Sequence, residues 1–352
     1  MTSSPSRSPA HSPSTSAPWR ATPAQNLVTL LTGFWLMTGI FVDGWAHNHL
    51  GETLETFFTP WHAVFYSGFL ATALWIGWLG RRGLTQGRRG LAAFPVGYGL
   101  GALGIVVFAL GGLGDMTWHT LFGIEVGLDA LLSPTHLLLF LGAELIVLSP
   151  LVAAWKAPTG RRSPAGVVWP GVLAMTAALS FASFMHMYAW VLATGDLLGA
   201  VSYQGAQALL TSTLLTALML AAPVLLLLRR WHLPFGAVTV MYLVNTVLMR
   251  AMTGGLDQLP VVIALAGVAG LVADGLIQWL RPAPGRPWAY RAFAVVLPLL
   301  VWVPFFAGAA RLGQLGASLE LWTRVCVMAA LGGLALSALI VPPAVPTEAE
   351  AS

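Results

Sequence analysis

One arrangement of acidic and histidine residues occurs twice in the N-terminal part of the chain. In each copy an Asp precedes a His by four positions, and a Ser/Thr-Pro-x-His sequence follows after a gap that holds two carboxylates. The first copy consists of Asp43, His47, Glu52, Glu55 and Thr59-Pro60-Trp61-His62. The second copy consists of Asp115, His119, Glu125, Asp129 and Ser133-Pro134-Thr135-His136. Because only 9% of the chain is charged, this clustering indicates a chemical role.

The spacing of the repeated residues is typical of metal ligands. An Asp and a His four positions apart share one face of a helix and can bind one cation together. The last His of each copy would supply a third ligand from the start of the next helix. The predicted ligands are Asp43, His47 and His62 in the first copy and Asp115, His119 and His136 in the second. Helix capping is the alternative for any one of them, and the repetition favours metal binding.

Imidazole and carboxylate ligands without cysteine suit copper(II), zinc or iron(II). His186, in the sequence SFMHMYAW, is either an additional ligand at the same depth or a buried hydrogen-bonded histidine. The remaining carboxylates of the two copies are candidates to orient the imidazoles or to act as a general base. These candidates are Glu52, Glu55, Glu125 and Asp129.

The composition is that of a membrane protein. Hydrophobic residues make up 57% of the 352 residues and the mean hydropathy is +0.77, whereas a soluble domain carries about 25% charged residues. Apolar runs of about 18 to 25 residues recur, each long enough to cross a bilayer as a helix. The net charge of +4 is not a nucleic-acid signal, because the basic residues lie in short loops between these runs.

These runs predict an all-α, polytopic transmembrane helical bundle of about ten spans. Residues 1–25 are predicted as a disordered tail, 26–341 as one transmembrane domain and 342–352 as a second tail. The predicted spans are 26–42, 61–80, 91–114, 134–154, 168–193, 205–228, 235–252, 259–280, 290–309 and 320–341. Asp43 and Asp115 then end the first and third helices, and His62 and His136 open the second and fourth. Residues 26–154 therefore predict a duplicated helix hairpin, and 155–341 hold the remaining helices.

The loops predict the orientation in the membrane. Of the 17 basic residues, 14 fall on one side of the predicted spans, which the positive-inside rule makes cytoplasmic. Both termini are then cytoplasmic, and both copies of the Asp–His motif lie at the outer face of a multi-pass protein of the cell membrane.

The motif resembles that of the C subunit of the copper membrane monooxygenases, the methane and ammonia oxidisers. Asp115-Met116-Thr117-Trp118-His119 is similar to the first half of that family's metal motif. Phe58-Thr59-Pro60-Trp61-His62, followed by Phe65-Tyr66, is similar to its second half. The resemblance implies that the Asp and two His of each copy bind a metal near the outer membrane face. The gap between the two His is two and four residues longer here, and the motif occurs twice instead of once.

The sequence leaves several functions open. The first hypothesis is a copper-dependent, monooxygenase-like membrane oxidoreductase acting on a small apolar or lipid substrate. The alternatives are a zinc-dependent membrane hydrolase with a Glu as general base, a metal or proton transporter, and a membrane scaffold. The bilayer is the predicted partner and nucleic acid is not. A homo-oligomer and partner subunits both remain open.

The predicted orientation can be tested with single cysteines. We expect a cysteine at Thr85 to be shielded from an impermeant thiol reagent in intact cells, because the loop containing Arg81 and Arg89 should be cytoplasmic. A cysteine at Thr56 should react, because the loop between Asp43 and Pro60 should be external. The opposite labelling pattern would invert the topology.

Overall fold

A computed structural model describes residues 18–50, 58–123, 127–190, 203–254 and 259–343. Within these ranges the protein is helical and contains no strand, apart from one isolated bridge between Ala283 and Arg286. The α-helices are α1 (Pro23–Leu50), α2 (Pro60–Thr85), α3 (Tyr98–Phe122), α4 (Gly127–Leu131), α5 (Pro134–Val147), α6 (Ser149–Trp155), α7 (Ala165–Met185), α8 (Tyr203–Arg230), α9 (Ala237–Thr253), α10 (Leu259–Leu280), α11 (Pro287–Arg311) and α12 (Leu319–Ile340). Short 3₁₀ helices occupy Gly90–Ala93 and Met187–Ala189.

The described residues contain nine helical segments that are long and apolar enough to cross a membrane. In one of them, α5 and α6 follow each other to span Pro134–Trp155. The apolar helix α9 has 17 residues and lies where the sequence predicts a further span. The predicted all-α membrane bundle is confirmed at this level, and the count of ten spans stays a prediction.

Several helix boundaries differ from the sequence predictions. Helices α1 and α3 continue about two turns past Asp43 and Asp115, so both carboxylates lie inside a helix and not at its end. The third helix begins at Tyr98, after the predicted start at residue 91. Pro95 explains this start, because a proline disfavours helical geometry in the residue before it and Phe94 is extended there. Helix α7 ends at Met185, before the predicted end at residue 193.

Helix α1 begins inside the segment predicted as a tail. A capping box fixes this start, because Thr22 Oγ1 accepts from the Gln25 amide at 3.2 Å and Gln25 Oε1 accepts from the Thr22 amide at 2.9 Å. Pro23 occupies the first helical turn, where its missing N–H has no cost. The described residues before this helix also bind the segment that precedes α3, since Val96 N donates to Trp19 O at 2.8 Å.

Helix α1 packs along α2, and α3 packs along α5, through glycines at equivalent positions of the two copies. Gly68 and Gly142 each lie six residues after the last His of their motif. A Cβ added to Gly68 would lie 2.6 Å from the Leu36 backbone, and one added to Gly142 would lie 2.6 Å from the Phe108 backbone. The two crossings therefore bring backbone directly against backbone, which a larger residue would prevent.

A second pair of glycines also occupies equivalent positions in the two hairpins. Gly39 and Gly111 each lie four residues before the Asp of their motif. A Cβ on Gly39 would lie 2.7 Å from the Phe65 backbone, and one on Gly111 would lie 2.9 Å from Leu139 N. Both hairpins thus cross in the same register, which places the Asp of one helix opposite the last His of the other.

Helix α7 is mostly buried and packs against α1, α5, α6, α8 and α9. A second, smaller core forms where α8, α11 and α12 meet around Trp302 and Phe306. Asp274 of α10 stabilises the start of α9, because its carboxylate accepts from Val238 N at 3.0 Å and from Thr239 N at 3.1 Å. This buried carboxylate therefore has a structural role.

Two arginines bind helix ends on the side opposite the repeated motif. Arg161 donates to Leu228 O at 2.7 Å, near the end of α8, and Arg230 donates to Ala157 O at 3.0 Å, just after α6. The Arg161 guanidinium satisfies a carbonyl in the last turn of α8 that has no partner within its own helix, and the Arg230 guanidinium binds the turn after α6, where Ala157 O also accepts from Thr159 N. Burial lowers the pKa of Arg161, which lies in the loop between α6 and α7.

The glycine crossings predict a specific loss of stability. We expect Gly142→Ala to lower the free energy of unfolding by about 1–3 kcal/mol, because the new methyl group must displace the Phe108 backbone. Gly77→Ala is the matched control, since a Cβ there meets nothing within 4 Å and alanine favours the helix. Thermal unfolding in detergent measures both. Equal melting temperatures for the two variants would contradict the close crossing.

Candidate metal centre

The first copy of the motif forms a compact group of three side chains. Asp43 Oδ2 lies 3.8 Å from His47 Nε2 and 3.5 Å from His62 Nε2. The two imidazole ring centroids are 5.7 Å apart. Each residue offers one ligand atom, and the three atoms lie within 4.8 Å of one another. One turn of α1 supplies the Asp and the first His, and the first turn of α2 supplies the second His.

The second copy forms the same arrangement at the ends of α3 and α5. Asp115 Oδ1 lies 3.5 Å from His119 Nε2 and 3.1 Å from His136 Nε2. The two imidazole ring centroids are 5.9 Å apart, and their planes are inclined by 52°, as in the first group. All three ligand atoms again lie within 4.8 Å of one another.

The Ser/Thr-Pro-x-His sequence explains how the second His of each group is placed. Thr59 Oγ1 accepts from the backbone N–H of His62 at 3.1 Å, and Ser133 Oγ accepts from that of His136 at 3.3 Å. These are N-cap hydrogen bonds, and the proline that follows each cap suits the first turn of a helix. Capping thus fixes the helix start, and the His side chain remains directed at the carboxylate.

The two groups differ at the residue between proline and histidine. Thr135 Oγ1 donates to Asp115 Oδ1 at 3.1 Å and lies 3.1 Å from Ser133 Oγ. In the first group this position is Trp61, which has no hydroxyl and packs edge-on against Trp45. Asp115 therefore has a fixed hydroxyl donor in addition to its two histidines.

Asp43 has an unsatisfied oxygen in the part of the chain that the structure describes. The residue is 7% exposed, and its Oδ1 is buried without a hydrogen-bonding partner there. A buried carboxylate oxygen without a donor is costly in free energy. Both histidines approach the other oxygen, Oδ2, so a cation held between Asp43, His47 and His62 would remove this cost when the carboxylate binds it through both oxygens. The residues therefore fit a metal ion.

Both groups open onto one cavity of about 350 Å³. Asp43 and His47 line it from the first group, and His119 and His136 line it from the second. The two groups are also close enough for His136 and Asp115 to interact electrostatically with the Asp43 carboxylate. The rest of the lining is mostly apolar. It includes Ile40, Phe65, Phe108, Leu139, Phe181 and Phe184.

Two further candidates from the sequence, His186 and Asp129, belong to neither group. His186 caps the end of α7, where its Nδ1 donates to Ala182 O at 2.8 Å, and it belongs to neither group among the described residues. Asp129 lies exposed on α4 and is likewise in neither group. Glu52, Glu55 and Glu125 lie outside the described residues.

Two residues near the site, Thr135 and Asn48, were not predicted from the repeated Asp–His motif. Thr135 occupies the variable position of Pro-x-His, where the second copy differs from the first. Asn48, directly after His47, lines the cavity and donates to Met252 O at 3.3 Å, which connects α1 to α9. A comparison of the two copies position by position would have singled out both residues.

No known protein family, curated protein or solved structure matches this chain. The indications of function therefore come from the two groups, the cavity that both of them line and the helical bundle that holds them.

The hydroxyl donor to Asp115 has a measurable role. We expect Thr135→Val to lower the free energy of unfolding by about 1–2 kcal/mol, because it removes a buried hydrogen bond to a carboxylate. Thr117→Val is the matched control, since Thr117 is exposed on α3 and donates within its own helix to Leu113 O. Thermal unfolding of the metal-free protein in detergent distinguishes them. Equal effects of the two changes would contradict a specific role for Thr135.

Proposed function

We propose that the chain is an integral membrane protein that binds one transition-metal ion at each Asp–His–His group and uses copper there as an oxidoreductase. The observation that carries this proposal is the convergence of two separate triplets, each with three ligand atoms within 4.8 Å. One such triplet can arise from helix capping alone. Two triplets with the same residue types, the same helix ends and nearly the same distances favour a shared purpose.

The donor set supports a borderline metal ion. Each group offers two imidazole nitrogens and one carboxylate oxygen, and no thiolate, which suits copper(II), zinc or iron(II). Three protein ligands leave coordination positions for a substrate or water, as catalytic sites require. Copper is preferred because the Asp-x₃-His and Thr-Pro-x-His sequences resemble the copper membrane monooxygenases. Bound copper would supply one-electron and oxygen chemistry at the polar end of the cavity.

The chain's own residues would bind the substrate and limit access of water. The cavity has a polar end formed by Asp43, His47, His119 and His136, and its other walls are largely apolar and aromatic. Its volume of about 350 Å³ lies near the lower end of the range for ligand pockets, which is about 300–1,000 Å³. A small apolar molecule, or one end of a lipid, fits these dimensions and this polarity.

The alternative function, a zinc-dependent hydrolase, has less support from the described residues. Zinc suits the same ligands, but hydrolysis also needs a general base beside the metal-bound water. Within the described part of the chain, Asp43 is the one carboxylate that lines the cavity, and it is already a proposed metal ligand. Transport has less support as well, because both groups face one cavity at the same end of the bundle and do not form a path across it.

The matching glycine contacts and caps support the proposal that the two hairpins are copies of one unit. Gly39, Gly68 and their counterparts Gly111 and Gly142 make the same backbone approaches relative to their metal motifs. The location of the site at the outer face of the cell membrane is proposed from the positive-inside rule. The arginine-rich ends, where Arg161 and Arg230 bind carbonyls, lie opposite the two groups.

Metal analysis of purified protein tests this function. We expect one copper ion per Asp–His–His group, and we expect His47→Ala and His119→Ala each to remove one of the two ions. His186→Ala is the control and should keep both, because His186 belongs to neither group. Circular dichroism should show that all three variants keep their helices.

Four outcomes would change the conclusion. Zinc in place of copper would favour the hydrolase, and iron would keep an oxidoreductase with a different metal. Full metal content in both His→Ala variants, or none in the unmutated protein, would show that the groups are helix-capping and hydrogen-bonding clusters.

A further inference from the structure

The cavity beside the two Asp–His–His groups extends along the helix axes. On α1 its lining reaches from His47 back to Ile40. On α5 its lining reaches from His136 forward to Ala143. The residues of each pair are seven positions apart, which corresponds to about two helical turns and about 10 Å of rise. Because the motif stands at the end of α1 and at the start of α5, both helices measure the same depth in the same direction from the histidines.

The two ends of the cavity differ in exposure. Leu128 of α4 and Tyr188, which line the end beside the histidines, are each 50% exposed. Ala143 and Phe181, which line the opposite end, are only 1% and 3% exposed. The cavity is therefore a blind pocket with its mouth beside the two groups and its closed end inside the bundle.

Polarity divides the pocket in the same way. Among the described residues that line it, the polar side chains belong to the two groups or, like Asn48 and Tyr188, lie at the mouth. Toward the closed end the walls are aliphatic and aromatic. They include Ile40, Phe65, Phe108, Leu139, Ala143 and Phe181. Such a pocket matches a molecule that has one polar head and one apolar chain.

The proposed metal ions determine the charge that the head should carry. A divalent ion in either group brings two positive charges, and the group supplies a single negative charge from Asp43 or Asp115. The mouth is then positive, and little solvent screens this charge in an apolar bundle. An anionic head is therefore favoured over a neutral or cationic one.

We propose that the pocket binds a single-chain aliphatic carboxylate, with its carboxylate at the two groups and its chain directed toward the closed end. Ala143 and Ile40 limit the length of that chain and are specificity-determining residues. The volume of about 350 Å³ suits one chain better than a bulky polycyclic molecule. The inference rests on the proposed function, because the bound metal ions supply the positive charge.

The depth of the pocket can be measured with straight-chain carboxylates of increasing length. Full-length, copper-loaded protein in lipid nanodiscs is dialysed against each radiolabelled carboxylate, and nanodiscs without protein give the uptake by lipid alone. We expect one saturable site whose affinity rises about fourfold with each added methylene. The affinity should fall beyond a limiting length, because the closed end has no space for further carbons.

Two substitutions at the closed end should move this limit in opposite directions. Ala143→Leu fills part of the pocket and should shorten the longest chain that binds tightly. Ile40→Ala enlarges the pocket and should lengthen it. Ala264→Leu is the matched control, since Ala264 is exposed on α10 and does not line the cavity, so it should leave the limit unchanged.

The head is tested separately with straight-chain alkylammonium ions of the same lengths. They should bind more weakly than the carboxylates, and equal affinity would overturn the assignment of an anionic head. Affinity that keeps rising with chain length, or one common limit in all four proteins, would overturn the assignment of Ala143 and Ile40.

Metal analysis of the same samples separates this inference from the proposed function. Protein that holds copper but has no saturable carboxylate site would overturn the inference alone. Protein that holds no metal would overturn the proposed function, and a length limit that still moves with both substitutions would then support the chain pocket independently.

Discussion

The structure depends on two carboxylates buried at one end of an apolar bundle. Asp43 and Asp115 are 7% and 2% exposed, and each lies between two imidazoles. A charge buried there is stable only beside a polar or oppositely charged partner. Loss of hydration raises its free energy, and neighbouring apolar groups do not offset this cost. The helix ends, the caps and the glycine crossings together bring the histidines to these two carboxylates.

The difference between the two carboxylates follows from their neighbours. Asp115 Oδ1 receives a hydroxyl donor from Thr135 in addition to its contacts with His119 and His136. Asp43 has Trp61 at the equivalent place and keeps one buried oxygen without a partner in the described chain. The exposure of the histidines does not follow this difference, since the side chain of His47 is more exposed than that of His119, at 36% against 7%, whereas that of His136 is more exposed than that of His62, at 29% against 11%. Two groups of the same composition therefore differ in how strongly protein atoms alone hold them together.

The sequence alone predicted the helical membrane bundle and the residues that gather at each group. Both predictions rested on long apolar runs and on a spacing that is read along a helix, so they needed no tertiary information. The helix ends near Asp43 and Asp115 were placed too early, because polar residues at the mouth of a bundle look like a loop in a hydropathy profile. In the structure α1 and α3 simply continue through them.

Other features depend on contacts between distant segments and could not be predicted in this way. The sequence made His186 a candidate ligand from its depth, but its direction is set by its position as the end cap of α7 and by its bond to Ala182. The close approach of the Tyr66 ring to α3 requires a glycine on that other helix, because a Cβ added to Gly112 would lie 3.1 Å from Tyr66 Cε1. Spacing within a segment determines which residues share a face, whereas the packing of segments decides which faces meet.

The glycine crossings have a consequence for how such a protein can diversify. Gly39, Gly68, Gly111 and Gly142 fix the register of each hairpin inside the bundle, so the connection between its two helices does not have to set the distance between Asp and His. In line with this, 14 residues separate the two histidines of the first group and 16 those of the second, yet the ligand distances nearly agree. Insertions and deletions in these connections can then accumulate without disturbing the ligands. The connections are therefore free to evolve new specificities beside two unchanged Asp–His–His groups.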